Sequence, residues 1–267
     1  MTQLNYERRG KRAGPETRTL VLIHGIGSRW QMWEPVMDRL TAEHDVLALD
    51  LPGFGFSPPL PAGSESSARG LAEQVSAFLR QMAIDRPHAV GNSLGGWVSL
   101  ELARLGQVSS VTAFSPAGFA NSMEAVWSRT SLIATRWAAQ RLRPQTARLA
   151  QNPWFRRMAY WQMSARPANL DSHDVAESTR ALADAPGFDD ILRSTTAERF
   201  RPEPAFDVPV TIAWGEKDRL LAPRQAARAA AALPGARIVK LPGCGHIPTY
   251  DDPELVAQVI LEGLAAS

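Results

Sequence analysis

The chain has 267 residues, 45% of them hydrophobic and 21% charged, with a formal net charge of +2 and a single cysteine. Such a balance suits one large α/β domain or two small ones, argues against a nucleic-acid partner, and excludes an internal disulfide framework. The first residues are polar and basic without an apolar centre, and no run approaches the roughly 18 apolar residues of a membrane span. A cytoplasmic protein with no stable membrane insertion is therefore expected.

In chain order, Leu4 to Arg9 alternates weakly and reads as an edge strand ended by the turn-forming Gly10–Pro15 segment. Thr19-Leu20-Val21-Leu22-Ile23 is a continuous apolar run rich in strand-forming residues, as a strand buried on both faces of a parallel sheet should be. It runs into His24-Gly25-Ile26-Gly27-Ser28, where Ser28 is placed to cap a helix carrying Trp30, Trp33, Val36, Met37 and Leu40. Asp45–Leu49 is a second buried strand, followed by the turn-rich Asp50–Ser57, a Pro/Gly/Ser loop and a helix over about 68–82. His88-Ala89-Val90 then leads into Gly91-Asn92-Ser93-Leu94-Gly95-Gly96 and another helix. This reads as strand, sharp turn and helix, with a serine at the apex and glycines two residues to either side, where a Cβ would crowd the backbone. Ser110–Phe114 is strand-like again, and alternation at this rhythm implies right-handed crossovers.

The rhythm stops at Ser115–Gly118. From there to about Arg201 only helical patterns occur, divided by Pro144, Pro153, Pro167 and Pro186. On a helical wheel Arg129, Arg136 and Arg143 share one face, while Val126, Trp127, Ala134, Trp137 and Ala138 share the other, which Arg141 interrupts. Alternation resumes with a strand over 208–214, a helix over about 224–233, a strand from Arg237 to Leu241, the Pro242–His246 loop and a helix from Pro253. The expected division is a core of residues 1–116 and 202–267 with a helical insertion of 117–201.

A serine hydroxyl becomes a useful nucleophile when a base takes its proton, and the base works best when a carboxylate fixes its tautomer. Ser93, Asp218 and His246 each follow a strand, at the end of the sheet where ligands bind in such folds. With HGIGS at 24–28, DLPGFGFS at 50–57, GNSLGG at 91–96, WGEKDRLLAP at 214–223 and GCGHIPTYDDPE at 243–254, the chain resembles the α/β-hydrolase fold family. The resemblance implies a mostly parallel sheet flanked by helices, with a helical cap inserted after the sixth strand. It implies Ser93 as nucleophile, His246 as general base, Asp218 as its acid partner, and the N–H groups of Ile26 and Leu94 as the oxyanion hole, with Gly27 as a rival donor. Relatives that open epoxides or remove halides carry aspartate at the elbow, so serine argues for acyl transfer.

Other candidates have plainer readings. His24 braces the oxyanion loop, Asp50 ties down its own turn, and His44, His88 and His173 are structural or surface residues without metal-site spacing. Glu216 is the rival to Asp218, and Cys244 is a small buried hydrophobe. The glycine-rich stretches lack the lysine of a P-loop and the spacing of a dinucleotide fingerprint, so no cofactor and no metal is expected. Substrate contact is expected from Trp30, Asn92, Trp127, Trp137, Trp161 and Ile247, which suits an apolar or aromatic acyl group. The eight arginines and no acid between Val126 and Leu170 could draw an anionic substrate group or a membrane surface, or could form a solvated face paired with acids elsewhere. The expected activity is a serine hydrolase of ester-type bonds working through an acyl-enzyme. Carbon–carbon hydrolase, thioesterase, perhydrolase and a non-catalytic binder of the same fold are the alternatives.

Overall fold

The computed structural model describes residues 3–11, 18–203 and 205–265. Among these residues seven strands form one sheet: β1 (Tyr6–Gly10), β2 (Thr19–Ile23), β3 (Asp45–Leu49), β4 (His88–Asn92), β5 (Ser110–Phe114), β6 (Val210–Gly215) and β7 (Arg237–Leu241). Their spatial order is β1-β3-β2-β4-β5-β6-β7, parallel throughout except for β1, which runs antiparallel along β3. The expected edge strand is therefore present, although most of the turn after it lies outside the described residues.

Strands β2 to β5 are buried on both faces because a helix layer covers each. Side chains alternate between the layers. Leu20, Leu22, Val46, Ala48 and Val90 pack with α1 (Glu34–Thr41) and the last helix of the fold, whereas Val21, Ile23, Leu47, Leu49 and Ala89 pack with α2 (Ala68–Gln81) and α3 (Leu94–Arg104). His88 sits inside this sheet, its ring nitrogens bonded to the Ser110 and Thr112 hydroxyls at 2.6 and 3.0 Å, and burial lowers its pKa to about 3.

Between β5 and β6 the described residues contain only helices and turns: α4 (Ser122–Leu142), α5 (Thr146–Leu149), α6 (Pro153–Ala159), α7 (Ser172–Asp184) and α8 (Phe188–Ala197). Pro144 and Pro167 lie in 3-10 turns, Pro153 opens α6, and Pro186 separates α7 from α8. This insertion follows the fifth strand rather than the sixth. The sheet ends at β1, and no strand pairs beyond it among the described residues. The chain then continues through β6, α9 (Gln225–Ala232), β7, α10 (Pro248–Asp251) and α11 (Pro253–Ala265).

Ser28 does not act as the expected cap. The chain enters a 3-10 turn at Trp30 with Arg29 as the preceding residue, and α1 begins only at Glu34, with Pro35 in its first turn. The proline presets the helical backbone there without needing a side-chain cap.

Candidate active site

The parallel strands bring the carboxyl ends of β4, β6 and β7 to the same edge of the sheet. Ser93 stands between β4 and α3 with φ +56° and ψ −115°, a conformation that costs a non-glycine residue about 1–3 kcal/mol. Its neighbours hold it there: its N–H donates to Phe114 O at 2.9 Å, and its carbonyl accepts from Ala117 N at 3.0 Å. The turn is possible because its flanks lack side chains. A Cβ on Gly91 would lie 2.1 Å from Gly95 O, and one on Gly95 would lie 2.1 Å from Ile23 O. Leu94 opens α3, so its N–H has no acceptor within the helix and is available to an anion.

Asp218 and His246 meet in the interior. His246 Nδ1 lies 2.8 Å from Asp218 Oδ2, and both side chains are almost fully buried. The other carboxylate oxygen of Asp218 accepts from Leu220 N at 2.9 Å and Leu221 N at 2.8 Å, which fixes the carboxylate plane. With Nδ1 committed, Nε2 is the imidazole nitrogen left for chemistry. Ser93 Oγ makes no hydrogen bond to His246 in this structure. The serine and histidine loops are nonetheless tied, because Asn92 Nδ2 donates to His246 O at 2.9 Å.

Glu216 is exposed and held by Lys240 at 2.9 Å, which with the Gly243 N–H pulls its carboxyl below the usual range. It therefore does not reach the histidine. His24 accepts from Leu51 N at 2.9 Å through Nε2 and bonds Gly25 O at 2.7 Å through Nδ1, and burial lowers its pKa. It braces the loop that carries Ile26. Asp50 receives Trp30 N, Phe56 N and Asn5 Nδ2, and so ties its own turn.

Two cavities open at this edge. A slot of about 50 Å³ is bordered by Ser93, Leu94, Ile26 and Leu132 and reaches Glu198 and Arg199. A chamber of about 610 Å³ shares Ile26 and Leu132 with the slot and continues between α4, α6 and α7, with no charged side chain in its lining.

Residues 20–259 match the model of the alpha/beta hydrolase family. The chain belongs to that family. The hydrolase is 31% identical to a putative carbamate hydrolase, RutD, of Pseudomonas savastanoi pv. phaseolicola, over 92% of this chain and 93% of that protein. It is 30% identical to the dihydrolipoyllysine-residue acetyltransferase component of the acetoin cleaving system of Pseudomonas putida. That match covers 91% of this chain but only 62% of the longer relative. Among solved structures, the enol-lactonase from Burkholderia xenovorans LB400 superposes with a TM-score of 0.73 at 22% identity, covering 99% of this chain and 97% of that one. At that identity the likeness shows the fold.

The hydrolase places its sequence-predicted residues unevenly. Ser93, Leu94 and Ile26 line the slot, whereas Gly27 borders only the chamber. Trp127, Trp161 and Ile247 line the chamber. Three of the residues expected at the substrate lie elsewhere. Trp137 is 60% exposed on the outer side of α4. Trp30 is stacked under the Arg9 guanidinium, 5.6 Å from its ring centre. The Asn92 amide nitrogen donates to Phe114 O and His246 O and so braces the two loops. Cys244 is buried, its thiol pushed up to about 12, and is inert as a nucleophile. Asp171, His173 and Asp174 lie close together but exposed, where Asp171 caps α7 by accepting from His173 N at 2.7 Å.

Asp251 belongs to the site without any local signal in the sequence. Its carboxylate accepts from Gly245 N at 2.7 Å, Ser164 Oγ at 2.7 Å and Ala165 N at 3.0 Å, joining the histidine loop to the helical insertion. The residue stands in a quoted motif, but its partners are distant in the chain. The polar end of the slot at Glu198 and Arg199 left no signal either.

Proposed function

We propose that this hydrolase cleaves an ester-type bond through an acyl-enzyme, with Ser93 as nucleophile, His246 as general base and then general acid, and Asp218 as the group that orients the imidazole. The buried 2.8 Å Asp218–His246 bond beside a strained serine carries this reading. The proton leaves Ser93 Oγ for His246 Nε2 as Oγ attacks the carbonyl carbon. The imidazolium that forms is stabilised by Asp218, and the same proton passes to the departing oxygen. Water repeats the sequence on the acyl-enzyme. The N–H groups of Leu94 and Ile26 receive the oxyanion, and losing one such donor costs about 10²–10³ in turnover.

The helical insertion of 117–201 serves as the cap over this centre. The two cavities divide the substrate: a group of a few carbons fits the slot beside Ser93, and a large apolar group occupies the uncharged chamber. None of the eight arginines between Val126 and Leu170 lines the chamber, so the large group is neutral. Carbamates and lactones, the substrates named for the relatives, present the same carbonyl to a serine.

The test is labelling by a fluorophosphonate, followed by hydrolysis of p-nitrophenyl acetate, butyrate and octanoate against acyl thioesters and vinylogous diketones. Labelling lost in Ser93→Ala, with esters turned over fastest, is expected. Wild-type protein that resists the probe would refute the enzyme reading.

A further inference from the structure

Helix α4 is apolar on its outer side as well as its inner one. Its inward side buries Ala125, Leu132 and Ala139 with Ser128, Ser131 and the Glu124 carboxylate, while Met123, Val126, Ile133 and Trp137 face solvent on one side of the helix. An ordinary surface helix keeps that side polar. The inner side is satisfied: Ser131 bonds Gln162, and Glu124 pairs with Arg224 and Arg228. The outer side has no protein partner among the described residues, and its apolar stripe from Met123 to Trp137 runs about 21 Å at 1.5 Å per residue.

The stripe continues onto α6. Trp127 meets Trp161 edge to face at 6.3 Å, and Met158 and Trp154 lie one turn apart on α6, Trp154 being 71% exposed. Trp127, Met158 and Trp161 also line the chamber, so its mouth opens within this apolar face.

The charges on α4, α5 and α6 that lack an opposite partner among the described residues are all basic. Arg136 and Arg143 are used on Asp189 and Asp184, and Arg156 on backbone carbonyls. Arg129, Arg141, Arg148 and Arg157 have no acidic partner among the described residues. Arg141 lies over the Trp137 ring at 5.1 Å, and Arg157 over the Trp154 ring at 6.0 Å. A second copy docking through the same face would bring these arginines against themselves. Tryptophan beside unpaired arginine suits the headgroup level of an anionic bilayer, where the indole lies in the interface and the guanidinium reaches lipid phosphate.

We propose that the outer face of α4 and α6 docks this hydrolase on an anionic lipid surface, with the chamber mouth turned toward the bilayer. No helix of the described chain is long and apolar enough to cross a membrane, so the attachment is peripheral. That the chamber then draws its apolar substrate from the lipid rests on the ester-hydrolase reading; the docking does not.

The test is co-sedimentation with phosphatidylcholine vesicles, alone or with about one third phosphatidylglycerol, in about 0.1 M salt, together with tryptophan emission. Binding to the anionic vesicles only, with a blue-shifted emission, is expected for wild type and equally for Ser93→Ala. Arg141→Gln/Arg148→Gln/Arg157→Gln should lower partition about 100-fold, close to fivefold per arginine. Val126→Ser/Ile133→Ser/Trp137→Ser should lower it at least about tenfold. Both variants should keep wild-type turnover of a short soluble ester. Absence of vesicle binding, or equal binding to both vesicle types, overturns the proposal. So does a wild-type dimer in sedimentation velocity that the apolar variant abolishes while vesicles remain unbound.

Discussion

Replacing Asp218 with asparagine separates orientation of the histidine from mere occupancy of the site. One carboxylate oxygen accepts from Leu220 N and Leu221 N, and an amide oxygen can keep both bonds. The other faces His246 Nδ1 at 2.8 Å, where asparagine must present its NH2. Two donors then oppose each other unless the imidazole moves its proton to Nε2, and in that tautomer the nitrogen needed by Ser93 is no longer a base. A loss of about 10⁴ in kcat is expected, equivalent to about 5.4 kcal/mol of barrier. Stability should fall by only about 1 kcal/mol, a shift of about 2–4 °C in Tm, because the loop keeps its backbone bonds. Glu216→Gln, which disturbs only the contacts with Lys240 and Gly243, should stay within about twofold of wild type. The assay is p-nitrophenyl acetate turnover near neutral pH alongside scanning fluorimetry. The reasoning fails if Asp218→Asn keeps more than a tenth of wild-type kcat, or if Glu216→Gln loses as much.

Two further perturbations address the frame of the site. Gly95→Ala would set a Cβ 2.1 Å from Ile23 O and 2.6 Å from His24 O, both backbone atoms that cannot swing away. It should cost about 3 kcal/mol or more and displace Leu94 and Ser93 together, so that Tm and turnover both fall; an unchanged Tm would disprove this account of the turn. His88 has its pKa lowered to about 3, so the unfolded chain takes up a proton near pH 6.5 that the folded chain refuses. Its contribution is fully present above pH 6.5 and declines toward pH 3, by at most about 1.4 kcal/mol per pH unit. His88→Val, less stable at pH 7 through its orphaned Ser110 and Thr112 hydroxyls, should lose stability less steeply as pH drops from 6.5 to 4. Parallel denaturation curves would count against it.

The sequence by itself determined what depends on local chemistry. Short, continuously apolar runs bounded by turn residues suit strands covered on both faces, and the expected bounds of β2 and β3 match the observed ones. The glycines about Ser93 announced the turn because no Cβ fits there, and the acid and base candidates stood just after strands whose parallel direction brings their ends together. What the helical insertion would do was not legible in the same way. The helical wheel divides α4 into an apolar and an arginine-rich side but does not say which of them is buried. Only the tertiary structure shows that the buried side carries Ser128, Ser131 and Glu124 beside Ala125, Leu132 and Ala139: Arg224, Arg228 and Gln162 arrive from elsewhere to satisfy Glu124 and Ser131, and Ser128 bonds Ala125 O within the helix. Periodicity tells which residues share a face, but the partner that face meets is set by contacts distant in the chain. For the same reason Trp137 lies outside the chamber, Asn92 is spent on bracing the loops, and Asp251 holds the histidine loop to the insertion.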